Sequence, residues 1–217
     1  MDEYLSEKEQ LEKIREWWRE NGWYLVGGAA LGAVVLFGWG QYREYTESRA
    51  EQAASLYLDL QDVLEDDDQV AAEALLTELR EEHPSSPYTD QAALLLAREY
   101  LATEPDRAAE ELRYVMENSQ DRELSLIARL RLARVLMYQD DHEQALALLD
   151  VEDLGPMQAQ FSEARGDAHV ALGDSEAARE AYSNALNASG AEWLNRNFVE
   201  MKIGALPPAD GGEGPGA

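Results

Sequence analysis

The sequence predicts an all-α protein, with a single N-terminal transmembrane helix followed by a solenoid of stacked helical hairpins. Three observations carry this. The stretch from Trp23 to Tyr42, WYLVGGAALGAVVLFGWGQY, holds no charged residue in a chain that is 29% charged. Beyond Arg43, strand signals are nearly absent while Ala, Leu, Glu and Arg recur at helical spacing. Four alanines recur at intervals of 36, 37 and 33 residues, a period typical of helical repeats.

Counted from Asn21, the uncharged run is about 22 residues, and at roughly 1.5 Å per residue it reaches the roughly 30 Å of a bilayer's hydrocarbon core. A buried helix of a soluble domain would rarely follow so charged a leader and begin and end in aromatic pairs. A cleaved signal peptide would have a short basic lead, an apolar run of roughly 7 to 15 residues and a small-x-small exit. Here the lead is long and mixed in charge, and the exit is Trp39-Gly40-Gln41-Tyr42-Arg43. An uncleaved signal anchor fits better. Trp23 and Tyr24 at one end, with Trp39 and Tyr42 at the other, suit the headgroup layers.

Orientation follows from the Lys and Arg beside the span. Lys8, Lys13, Arg15 and Arg19 precede it, and only Arg43 and Arg49 follow at comparable distance. The N-terminus is expected in the cytoplasm and the rest of the chain in the periplasm of a bacterium with two membranes. Gly28 and Gly32 form a small-xxx-small pair on which a partner helix could approach closely, although glycine is common in membrane helices in any case.

Of the 217 residues, about 170 remain beyond the anchor, enough for one domain with a sizeable core. The net charge of −26 argues against nucleic acid, which calls for clustered Lys and Arg. The acidity is read as a trait of the lineage rather than a binding face. The absence of cysteine excludes disulfides, thiol nucleophiles and thiolate metal sites.

In chain order, residues 1–21 form a cytoplasmic leader with Tyr4, Leu11, Ile14 and Trp18 on one helical face. Its polar side carries both signs, unlike a basic lipid-binding helix. Residues 22–42 are the anchor, 46–206 the periplasmic domain, and 207–217 a Gly/Pro-rich tail expected to be disordered. Breaks at Asp66-Asp67-Asp68, His83 to Pro87, Glu104-Pro105-Asp106, Gln139-Asp140-Asp141, Gly155-Pro156 and Gly173-Asp174 are cap and turn residues. They delimit helices near 46–65, 68–82, 87–103, 106–118, 121–139, 141–150, 157–172, 174–188 and 190–203.

The recurring alanines are Ala72, Ala108, Ala145 and Ala178, each followed four residues later by Leu76, Leu112, Leu149 or Tyr182. A small residue lets two helices of a hairpin approach, and a bulky one fills the groove to the next pair. The segment EARGDAHVALGDSEAAREAYSNAL sets Gly166, Gly173, Ala178, Tyr182 and Ala185 at tetratricopeptide spacing. Such pairs stack into a solenoid whose concave face binds peptides or proteins. Trp193, Leu194, Phe198, Met201 and Ile203 are expected to cap the array.

Catalytic patterns are missing from the sequence. His83, His142 and His169 are scattered and read as solvated or turn residues; Leu146 stands where a zinc-protease motif would need a second histidine. The Asp66 to Asp68 run lacks the glycine and closing glutamate of a calcium loop. No cofactor or metal site and no enzymatic activity are expected. In the repeat register, Arg98 and Arg134 hold equivalent places on first helices, the side that usually lines the groove, with Tyr57, Met137 and Tyr138 in the same layer. Two such arginines could receive a client's carboxylate or backbone carbonyls. The commoner alternative is that they pair with neighbouring acids.

Taken together, EKEQLEKIREWWRENGW, the glycine-rich span, ASLYLDL, HPSSPYTDQAALLLA and the closing FVEMKIGAL resemble the YfgM family, ancillary subunits of the SecYEG translocon. The resemblance implies a bacterial inner-membrane protein with a periplasmic tetratricopeptide-like domain. It further implies association with the translocon and with a membrane-anchored periplasmic prolyl isomerase, and hand-over of unfolded periplasmic or outer-membrane clients to chaperones. The competing class is an envelope scaffold or stress-signalling regulator holding one fixed partner.

Overall fold

The computed structural model describes residues 7–208. Tyr4 of the leader face and all of the tail beyond Pro208 lie outside the described residues. Among these there are nine α-helices and no strand. They are α1 (Glu7–Glu65), α2 (Gln69–Glu82), α3 (Pro87–Tyr100), α4 (Pro105–Asn118), α5 (Arg122–Tyr138), α6 (His142–Leu149), α7 (Gln158–Ala171), α8 (Ser175–Asn187) and α9 (Arg196–Ala205). Short 3-10 turns occupy Gly155–Met157 and Ala191–Trp193. The sequence divides 3–20, the span and 46–65 into separate segments, whereas the structure joins them as α1. No proline precedes Pro84, and glycine alone does not end a helix.

The chain divides into two compact units, with the boundary between Gln52 and Ala53. In the first, the apolar side chains have almost no protein neighbours: Trp23 is 82% and Leu36 75% exposed. An 18-residue window here has a mean hydropathy of 1.5 and is 6% buried, so this helix is long and apolar enough to cross a membrane. Leu11, Ile14 and Trp18 of the leader are likewise uncovered.

The second unit is built by the alternation of small and large residues. Ala72, Ala108, Ala145 and Ala178 are fully buried, and Leu76, Leu112, Leu149 and Tyr182 nearly so. Burying each leucine contributes about 1.5–3 kcal/mol. One continuous core runs from Ala53 to Ala164, and a smaller one joins Ala178 and Tyr182 of α8 to Val199 of α9.

The hairpin loops repeat a device. Asp67, Asp140 and Gly173 take left-handed backbone angles, with φ of 58°, 63° and 79°. The next residue in each case, Asp68, Asp141 or Asp174, is a helix N-cap. Asp68 and Asp174 each accept a hydrogen bond at 3.0 Å, from the backbone N–H of Ala71 and Ala177 respectively. At two other boundaries proline opens the helix instead, Pro87 behind the N-cap Ser86 and Pro105 behind Glu104. Gly190, at φ 86°, leaves no room for a Cβ against the Pro156 carbonyl. Beside it, the Ala159 N–H donates to the Ser189 carbonyl at 3.1 Å, tying the start of α7 to the end of α8.

The cap differs from the expected one. Helix α9 begins at Arg196, after Asn195 accepts the Phe198 N–H at 3.2 Å. Val199 is its buried residue, with Leu194 and Ile203 packed beside it, while Trp193 is 73% and Met201 61% exposed. Positions 195, 199 and 203 form one stripe, so Phe198 and Met201 fall off the packed face. His83 departs from the solvated reading too: it sits at the turn after α2 but is buried, its carbonyl accepting from the Thr89 hydroxyl at 2.7 Å.

Polar side chains bind neighbouring helices. The Tyr100 hydroxyl donates to Glu73 at 2.8 Å, Arg107 pairs with the same carboxylate at 2.6 Å, and the guanidinium of Arg107 lies 4.2 Å from the Tyr100 ring centroid. Arg80 of α2 forms an ion pair with Glu111 of α4 and stacks over Tyr114 at 3.9 Å.

Asp90, buried in the first turn of α3, accepts a hydrogen bond from the Ser119 hydroxyl at 2.6 Å. Burial foremost, with the nearby Asp121 charge, raises its pKa despite that bond. A raised carboxylate pKa means that the folded chain holds the proton more tightly. Asp90's contribution is therefore fully present below the unfolded pKa and is lost as pH rises through the folded one. Asp90→Asn is accordingly expected to raise the thermal midpoint at pH about 7 and to converge on the parent only as the pH falls well below the ordinary aspartate value of about 4, where Asp90 is neutral in the folded and unfolded chain alike. A constant offset between the two proteins across that range would show that Asp90 is not the titrating group.

Candidate functional site

A cavity of about 400 Å³ opens between α3, α4 and α5 of the second unit. Its floor is apolar, formed by Leu94 and Ala97 from α3, Leu112 from α4 and Val135 from α5. Three arginines line it, Arg98 from α3 and Arg131 and Arg134 from α5, with Tyr138 beside them, 79% exposed. Helices α3 and α5 are the first helices of consecutive hairpins, which is why one side of the stack presents residues from both.

The electrostatics separate these arginines. Arg98 donates from Nε at 3.0 Å and from Nη2 at 2.7 Å to Glu99, its exposed neighbour in the chain. That pair matches the commoner alternative drawn from the sequence, and a solvated pair of this kind contributes about 0–1 kcal/mol. Arg131 and Arg134 are exposed and make no hydrogen bond or ion pair among the described residues. No acid stands three or four places from either of them along α5.

The sequence-derived groove residues divide. Arg98, Arg134 and Tyr138 come together in the cavity. Tyr57 stacks instead on Tyr88, with ring centroids 5.9 Å apart, and its hydroxyl accepts from Gln61 at 3.1 Å. Met137 is partly buried against the main core. Sequence reasoning missed the apolar floor and one charged lining residue, Arg131. Its signal was present: α5 carries four arginines against a single acid, Glu123, in a chain with 44 acidic residues and 18 basic ones. In the first unit, a Cβ on Gly28 or Gly32 would meet nothing within 4 Å, so both positions are open to a neighbouring helix.

Stacked hairpins with buried alanines at each crossing and a lined groove on the first-helix side define a tetratricopeptide-like solenoid. The chain matches the model of the tetratricopeptide repeat-like domain family over residues 15–208, and it belongs to that family. Among individual proteins it is similar to three described as ancillary SecYEG translocon subunits. The one from Neisseria gonorrhoeae is 28% identical over 212 residues, covering 95% of this chain and 100% of the relative. The one from Escherichia coli is 28% identical over 210 residues, covering 95% and 99%. The one from Haemophilus influenzae is 27% identical over 203 residues, covering 93% and 98%.

Proposed function

We propose that this protein is a membrane-anchored binding module of the bacterial inner membrane that associates with the SecYEG translocon. The observation that carries the reading is the near full-length match to relatives described as ancillary subunits of that channel. The apolar stretch of α1 supports a membrane location, and the excess of Lys and Arg before it supports a cytoplasmic N-terminus. The hairpin domain then lies in the periplasm, where its groove takes segments of emerging clients and passes them to periplasmic chaperones, beside a membrane-anchored prolyl isomerase. Tethering at the channel exit raises the effective concentration of a weak binder, so individual contacts need not be tight. The reading assigns no chemistry to any side chain.

Photocrosslinking in cells tests this directly. A photoreactive residue at position 28 or 32 is expected to capture a translocon subunit, and one at position 134 or 138 to capture several newly exported proteins. A reporter fused after Ala217 is expected to be active only in the periplasm. Cytoplasmic reporter activity would overturn the orientation, and capture of one fixed partner at both places would favour a scaffold.

A further inference from the structure

We propose that the cavity between α3, α4 and α5 selects extended client segments in which a large apolar side chain is flanked by acidic residues. This rests on the reading of the protein as a client-binding module and adds what the clients must present. Three features converge. The first is charge: Arg131 and Arg134 lie three residues apart on one face of α5, a like-charge spacing that costs a helix about 0.2–0.5 kcal/mol. In a chain of net charge −26, acids to relieve that repulsion are plentiful, yet among the described residues none pairs with either arginine. The two guanidiniums keep their donors free for an external acceptor, and planar guanidinium groups match carboxylates in geometry.

The second feature is the floor. Leu94, Ala97, Leu112 and Val135 offer apolar surface in a space of about 400 Å³, within the range of ligand pockets. A bare anion leaves that floor in contact with water, whereas a leucine or phenylalanine side chain covers it. The third is spacing. The arginines come from two helices, Arg98 from α3 and Arg131 and Arg134 from α5, so a segment with acids on both sides of its apolar anchor can meet cations from both helices, whereas a single carboxylate meets fewer. The same charges oppose basic segments at contact range. The negative field of the whole chain slows the approach of acidic clients and is screened beyond about 8 Å at physiological salt, so contact is local and release is quick.

The test uses the full chain in detergent micelles and three synthetic peptides read by fluorescence anisotropy: Ser-Gly-Glu-Leu-Phe-Asp-Gly-Ser, its counterpart with lysine at both acidic positions, and its counterpart with serine at both apolar positions. The first is expected to bind at least about tenfold more tightly than either counterpart, a difference of about 1.4 kcal/mol. Arg131→Glu with Arg134→Glu is expected to abolish its advantage over the lysine peptide. Arg113→Glu, on α4 and outside the cavity, is expected to leave it unchanged. Tyr138→Ala, at an exposed side chain, is expected to weaken the Leu-Phe peptide more than the serine peptide. Equal binding of all three peptides, no binding of the first, or a preference that survives the double reversal would each overturn the proposal. Equal binding of the acidic serine peptide would reduce the cavity to a general anion site. Translocon capture from positions 28 and 32 is scored separately, so the two readings fail independently.

Discussion

Gly166→Ala is expected to destabilise the second unit by about 2 kcal/mol or more, the upper part of the range for overpacking. Gly166 lies in α7 directly beneath the Tyr182 ring, and a methyl group there would overlap ring carbons Cδ1 and Cε1. The ring has nowhere to retreat. Tyr182 is 2% exposed, and its hydroxyl donates to Asp167 at 2.7 Å. The intrinsic preference of helices for alanine over glycine, about 1 kcal/mol, works in the opposite direction and is outweighed by the overlap. Gly204→Ala provides the matched comparison. At that helical position in α9 a Cβ would meet nothing within 4 Å, so the same chemical change is expected to raise stability by about 0.5–1 kcal/mol. Urea midpoints of the two variants, followed by circular dichroism of the whole protein in detergent, should therefore move in opposite directions. A Gly166→Ala midpoint equal to the parent's would mean that α7 and α8 are not pressed together at this crossing.

Lys202→Met should cost about 2 kcal/mol and loosen α9. Lys202 donates to Glu163 at 2.9 Å and to both carboxylate oxygens of Asp167 at 2.7 and 2.9 Å. Its ammonium also lies 4.8 Å from the Phe198 ring centroid. Methionine fills the same space but leaves two carboxylates facing each other without a cation. Removing one partner of a fully buried pair costs about 3–5 kcal/mol. Side-chain exposures of 19%, 15% and 36% for Lys202, Glu163 and Asp167 place this cluster below that range. The penalty belongs to the stranded acids, so adding Glu163→Gln and Asp167→Asn to the Lys202→Met protein is expected to recover most of the loss. Hydrogen exchange of the α9 amides supplies the local readout. If the triple variant is no more stable than Lys202→Met alone, the loss comes from lysine packing and not from uncompensated charge.

Much of the hairpin domain was legible because its signals are local. Asp, Gly and Pro mark helix ends through backbone angles and caps, which depend on a few neighbouring residues. The alanines at 72, 108, 145 and 178 mark crossings because only a small side chain fits there. The groove was legible only in part because it depends on helix rotation. Arg131, Arg134 and Tyr138 fall on one stripe of α5, whereas Leu130, Ala133 and Met137 fall on the adjacent stripe turned toward the core. A shared layer in the repeat register does not distinguish those stripes. Tyr57 was similarly assigned by register, while its ring found Tyr88. The exposed faces of Trp193 and Met201 were hidden from sequence reasoning for the opposite reason: large apolar residues on a terminal helix read as core unless the neighbouring helix is known to reach only one of their stripes.

The smaller core at the end of the stack also bears on the lifetime of the protein. Solenoids open in units set by nearest neighbours, and terminal units open most readily. Here the terminal unit rests on Val199, Tyr182, Ala178 and the Lys202 cluster, apart from the larger core that ends at Ala164. Opening of α9 is expected to bare the end of α8 while the larger core stays folded, so a protease is expected to cut α9 before it cuts the helices of the larger core. Turnover is then expected to follow the free energy of that one local opening, so a stabilising change such as Gly204→Ala is expected to slow proteolysis without touching the main core.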